Sequence, residues 1–124
     1  MDFSKVDRVH FAFFQTDIDG KLFGTDDWAD PQLLYGPYDW SGSGTSYCSW
    51  VAADEKVCQS HNYDKGLLHL AHTAGAEVYP SIGGWSLSDP FSAMAANPTS
   101  RAEFANQCVG LIQEYGFDGI DIDW

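Results

Sequence analysis

Basic residues are scarce in this sequence. Six Lys and Arg stand against eighteen Asp and Glu, for a formal net charge of −12. A surface this anionic repels nucleic acid and anionic membranes, which are held by clustered Lys and Arg. It accommodates a neutral or cationic polymer, and the acidity also keeps a chain soluble. Long apolar runs are missing: nothing approaches the ~18 consecutive apolar residues of a membrane span. The opening Met1-Asp2-Phe3-Ser4 has no basic region followed by an apolar one, so no leader pattern is visible. Internal repeats and low-complexity tracts are absent. With 124 residues the chain is long enough for one small domain and short of the ~250 of a closed (β/α)8 barrel.

Cysteine is limited to Cys48, Cys58 and Cys108, and their spacing matches no zinc signature. Cys48 and Cys58 lie close together in an aromatic-rich stretch. A disulfide between them suits a secreted protein, but spacing alone leaves free thiols open. Cys108 falls at an apolar helical position and reads as an inert core residue.

Val9-His10-Phe11-Ala12-Phe13-Phe14 is short, apolar and aromatic, the pattern of a buried strand. From Gln15 to about Asn62 regular periodicity is lost. Asp, Gly, Pro, Ser and aromatic residues dominate, including Trp28, Trp40, Trp50, Tyr35, Tyr38 and Tyr47. A loop of this length is unusual in a compact domain and is often functional; part of it also fits a satellite hydrophobic cluster. Leu67, Leu68, Leu70, Ala71 and Ala74 make one stripe of a helix over 64–74, stopped by Gly75. His69 and His72 lack a third ligand and read as ordinary surface histidines, so no metal is expected.

Glu77-Val78-Tyr79-Pro80-Ser81-Ile82 predicts a second strand. Pro80 argues against a central position, because proline cannot donate to the ladder; it must sit at a bulge or where its missing N–H is not needed. A helix over 100–115 follows, with Ser100 and Glu103 as a capping box and Gly116 as its end. A last strand is predicted over 117–124. Strands alternating with helices imply an α/β fold with a parallel sheet and right-handed crossovers.

Asp118-Gly119-Ile120-Asp121-Ile122-Asp123-Trp124 carries most of the information. Side chains alternate faces along a strand, so Ile120 and Ile122 share one face and Asp121 and Asp123 the other. Two neighbouring carboxylates on a buried strand are costly to hold. A shared proton lowers that cost. Folding gains little from the pair, which favours a functional reason; a solvated acidic face on an edge strand is the alternative. Ser81-Ile82-Gly83-Gly84-Trp85 directly follows a strand. Its glycines allow close backbone approach, and Trp85 can stack on a flat sugar face. The segment lacks the Lys and helix start of a phosphate loop. A plain turn with a core tryptophan is the other reading.

The segment 118–124 resembles the D-x-x-D-x-D-x-E signature of family 18 glycoside hydrolases up to its final Glu. Ser81-Ile82-Gly83-Gly84 resembles the family's S-x-G-G motif. The run Pro80 to Phe91 is especially similar to chitinase A-type enzymes, and Phe11-Ala12-Phe13 resembles the aromatic second strand. The resemblance covers about residues 3–14 and 64–124. It implies a partial (β/α)8 TIM barrel, about strands 2 to 4 with two helices, the stretch 15–62 being a long βα insertion loop. It also implies a chitinase that cleaves β-1,4 bonds with retention, assisted by the substrate's own 2-acetamido group.

By position, Asp123 orients the acetamido group, Asp121 pairs with Asp123, and Ser81 donates to that pair. Trp85, Phe13 and Gly84 line the sugar cleft, while Asp118 and Gly83 are structural. The general acid falls at position 125, one past Trp124. The resemblance therefore implies a fragment that is inactive and poorly folded alone. It implies no cofactor, a secreted and monomeric parent, and chitin or chito-oligosaccharides as partner. A chitinase-like lectin and an endo-β-N-acetylglucosaminidase share these motifs and are the alternatives.

Overall fold

The structure, a computed structural model, describes residues 2–52 and 55–124. Ten regular elements follow in order: β1 (Arg8–Thr16), β2 (Leu22–Gly24), α1 (Ala29–Tyr35), β3 (Thr45–Ala52), β4 (Glu55–His61), α2 (Leu67–Thr73), β5 (Glu77–Gly83), α3 (Phe91–Ala96), α4 (Pro98–Tyr115) and β6 (Asp121–Asp123). Short 3-10 turns precede β1 and α2. One sheet has the order β2-β1-β5-β6. β1, β5 and β6 run parallel, and β2 folds back antiparallel on the edge. The register of β1 on β5 slips between Ala12 and Phe14.

Alternation decides which face of this sheet is dry. Phe11, Val78, Pro80 and Ile82 point to one side and are buried with Leu68 and Ala71 of α2, Leu111 and Tyr115 of α4, and Phe117. Each fully buried aliphatic side chain contributes about 1.5–3 kcal/mol over leaving it in water. α4 ends as the sequence dictates: Gly116 adopts φ 78° and its N–H closes on Ile112 O at 3.0 Å.

Several expectations are corrected. Pro80 sits in a strand flanked on both sides, not at an edge. Its neighbour Val78 turns its N–H towards Asp118, so by alternation the nitrogen of Pro80 faces the β6 side. β6 pairs only from Ser81 onward, and no ladder bond is lost. The last strand covers Asp121–Asp123 rather than 117–124. Phe117 turns into the core, and Ile122 is exposed rather than packed under a helix. The capping box does not form. Asn97 caps α4 by accepting from Thr99 N at 2.9 Å. The Ser100 hydroxyl donates to Met94 O at 2.8 Å, and Glu103 pairs with Lys21 at 3.0 Å. The helix expected over 64–74 starts at Leu67, because Gly66 packs its backbone against Tyr35 and Gly36 and leaves no room for a side chain.

The stretch 15–62 is not a bare loop. It holds β2, α1 and the β3–β4 hairpin, and with α3 the helices number four among the described residues rather than two. A disulfide joins Cys48 and Cys58, which face each other across the hairpin. Tyrosines dock this insertion on the core. Tyr35 stacks on Tyr47 at 4.7 Å and on Tyr115 at 5.1 Å, and the Tyr115 hydroxyl donates to the Cys48 carbonyl. His61, buried among Tyr35, Tyr38 and Tyr47, donates from Nδ1 to Gly36 O at 2.7 Å. The side chain of Trp50, one of the aromatic residues singled out in the sequence, lies outside what the structure describes.

Candidate active site

The sheet face opposite the core carries the polar side chains. Ala12, Ser81 and Asp121 lie level across β1, β5 and β6. Ser81 is almost fully buried, and its hydroxyl donates to Asp121 Oδ2. On the other side of the same carboxylate oxygen stands His10, with Nδ1 at 3.5 Å. Asp123, two residues on, projects from the same face by alternation and is exposed. Among the described residues no hydrogen bond joins Asp121 to Asp123 directly.

The turn after β5 is built around backbone contacts with β6. Gly84 N–H donates to Asp123 O at 2.6 Å. The Ser88 hydroxyl reaches Gly84 O at 2.6 Å and Asp123 O at 3.1 Å. Gly83 and Gly84 take φ 106° and 95°, a region closed to most side chains. A Cβ on Gly83 would lie 2.6 Å from Asp123 O and from the Phe91 ring. The turn therefore projects Trp85 fully into solvent. Gly84, Trp85, Ser88, Asp123 and Trp124 line one cleft, and Trp124 stacks on Phe91 at 5.4 Å. Phe13, on β1, sets its ring against Gly84 and is not among the residues lining that cleft.

Asp118 lies apart from these groups. Its Oδ2 accepts from Val78 N at 2.7 Å and meets His72 Nε2 at 2.8 Å, so it ties the approach to β6 onto β5 and α2. His69 packs on the ring of Tyr63 at 5.4 Å. Among the described residues no three His, Cys, Asp or Glu are grouped to hold a metal. No helix among them is long and apolar enough to cross a membrane.

Sequence reasoning passed over His10 and Tyr79, which share the polar face. Tyr79 lies 5.7 Å from the His10 ring and beneath the Arg8 guanidinium at 4.8 Å. Desolvation holds its phenol above the ordinary range; Glu77 adds to this and Arg8 opposes it. The alternation along Arg8–Thr16 was the available signal, since it sets His10 beside Ala12 and away from Phe11.

Residues 1–124 match the family model for glycosyl hydrolases family 18. The chain belongs to glycosyl hydrolase family 18. Family 18 relatives include chitinase 1 of Aphanocladium album, 33% identical over 121 residues that cover 98% of this chain and 26% of that protein. Endochitinase 1 of Metarhizium anisopliae is 30% identical over the same share of both chains. The crystal structure of a chitinase from Rhizomucor miehei superposes with a TM-score of 0.66 at 25% identity, over 100% of this chain and 29% of that one. The architecture is that of part of a family 18 (β/α)8 barrel. The chain spans about a quarter of the length of the curated relatives it matches.

Proposed function

We propose that the protein carrying these residues is a secreted chitinase, hydrolysing β-1,4 bonds between N-acetylglucosamine units with retention. The reading is carried by Asp121 and Asp123 sharing one sheet face, with Asp123 lining the cleft beside Trp85, within a family 18 chain. Asp123 accepts the N–H of the substrate's 2-acetamido group and turns its carbonyl oxygen towards the anomeric carbon. That oxygen attacks, the glycosidic bond breaks, and an oxazolinium ion forms within the same sugar. The attack is intramolecular, so little orientational entropy remains to be lost. Positive charge then develops next to Asp123, which stabilises it electrostatically. Asp121, fixed by Ser81, shares the sheet face with Asp123 and acts as its partner carboxylate, tuning its proton affinity. The signature puts the proton donor for the leaving oxygen two positions beyond Asp123.

Trp85 offers an exposed indole for stacking on a pyranose ring, with Gly84 lining the cleft beside it and Phe13 packed against Gly84. A net charge of −12 suits an uncharged polysaccharide better than an anionic one. The Cys48–Cys58 disulfide suits an oxidising, extracellular setting.

The test is release of chromophore from a chito-oligosaccharide glycoside by the full-length protein that carries these residues and by its D123N variant. Turnover in the parent, with loss by two orders of magnitude or more in D123N, is the expected result. Binding without turnover in the parent would point to a lectin. Turnover confined to N-glycans would point to an endo-β-N-acetylglucosaminidase.

A further inference from the structure

The imidazole of His10 and the carboxylate of Asp121 meet across the central strand. β5 lies between β1 and β6, and His10 is paired with Tyr79 one step below the level of Ala12, Ser81 and Asp121. The ring reaches over β5 to place Nδ1 3.5 Å from Asp121 Oδ2. This is ion-pair range and long for a hydrogen bond. The same oxygen accepts from Ser81.

The charged and titratable groups on this face are Arg8 from β1, Glu77 and Tyr79 from β5, and Asp121 and Asp123 from β6. Arg8 is engaged by Glu77 at 3.3 Å and lies over Tyr79. The Tyr79 hydroxyl donates to Glu77 at 3.2 Å. These three satisfy one another at the lower end of the sheet, and Asp121 is the carboxylate left to face His10.

We infer that His10 is a positioning residue for Asp121. As imidazolium it draws the carboxylate towards β1 and holds it against Ser81; as neutral imidazole it releases that pull. The inference rests on the proposed role of Asp121 behind Asp123. His10 and Asp121 are 47% and 32% exposed, so solvent screens the pair and its contribution to stability is small. Its effect is on orientation. The pull exists only while the ring is charged, so the setting of Asp121 follows the protonation of the imidazole across the 3.5 Å gap.

Carboxyl-carbon NMR of Asp121 followed across a pH series tests the coupling. The expected signature is a step in the Asp121 signal that coincides with the ring titration of His10. H10N and H10Q abolish the step while D121N changes the pH response of the His10 ring nitrogens. A step that persists in H10N or H10Q, or His10 signals that superimpose in parent and D121N, overturns the inference. Three variants keep the test readable if one fails to fold. With a chito-oligosaccharide substrate, H10N changes the pH profile of kcat and leaves KM within about twofold. A parent that never hydrolyses the sugar removes the proposed function and leaves the NMR coupling intact, so the two failures separate.

Discussion

The ring of Phe13 occupies the space that a side chain at position 84 would need. A Cβ on Gly84 would come within 2.9 Å of Phe13 Cε1 and Cζ. Gly84 also holds φ 95°. G84A therefore meets backbone strain and a clash together, and is expected to destabilise the fold by about 1–3 kcal/mol. Urea unfolding followed by tryptophan fluorescence reads this as a lower midpoint with an unchanged slope. An unchanged midpoint would mean that the ring moves aside at no cost.

Ser81 supplies the hydroxyl that fixes Asp121. S81A removes one hydrogen bond to a charged group, worth about 1.5–3 kcal/mol. If Asp121 acts through Asp123, hydrolysis falls by about 10- to 100-fold with KM little changed, and S81T recovers part of the rate. A variant as fast as the parent would show that Asp121 needs no anchor.

Alkaline pH should loosen the tyrosine stack. Burial pushes the Tyr47 phenol up to about 12 from 10.0, with Tyr63 adding to the effect. Tyr35 and Tyr115 are also raised, again chiefly by burial. A phenol that resists ionising in the folded chain contributes stability that is complete below its unfolded value. That contribution drains away as the pH climbs through the folded one. Urea midpoints should hold steady below pH 10 and fall progressively towards pH 12, the interval between the ordinary value of 10.0 and the raised value of about 12 for Tyr47. Y47F should flatten the decline.

Cys108 should be chemically quiet. Burial pushes its thiol up to about 11, so the reactive thiolate is scarce near neutrality. Alkylation by iodoacetamide at a mildly alkaline pH is expected to run about two orders of magnitude slower in the folded chain than in urea. Equal rates would place the thiol at the surface.

Reduction of the Cys48–Cys58 bridge should weaken the hairpin. The bridge closes a loop of sequence separation 10, for which chain entropy gives about 2–3 kcal/mol. Hydrogen exchange after mild reduction should speed up across β3 and β4 while β1 and β5 stay protected. Uniform acceleration would show that the hairpin and the sheet unfold as one unit.

What could be read from the sequence follows the range of the forces involved. α4 was legible because the helical spacing of Phe104, Cys108, Leu111, Ile112 and Tyr115 and the stop at Gly116 are local signals. The common face of Asp121 and Asp123 was legible because strand alternation is geometric. The elements inside 15–62 were not, because they are secured by Tyr35, Tyr47 and Tyr115 meeting from distant parts of the chain. The last strand was foreseen but drawn too long, over 117–124, for a related reason: Asp118 bonds Val78 through its side chain, replacing strand pairing that the apolar pattern implies. Pro80 was legible as a place where no N–H is needed, but not as part of a central strand, because that depends on where the neighbouring strand begins. His10 was passed over because an aromatic run draws attention to its rings rather than to the face each one occupies.

The two ends of the excursion between Pro37 and Asn62 are stitched together. Asn62 N–H donates to Pro37 O at 2.8 Å, and Asp39 N–H donates to Ser60 O at 2.9 Å. Everything between leaves and returns through a single doorway. Closing such a doorway with a short linker asks the rest of the chain for no change in span. The hairpin is thus a cassette with two fastenings, this doorway and the Tyr47 and Cys48 contacts to Tyr115: its tip can be trimmed or lengthened, while an exchange has to keep both.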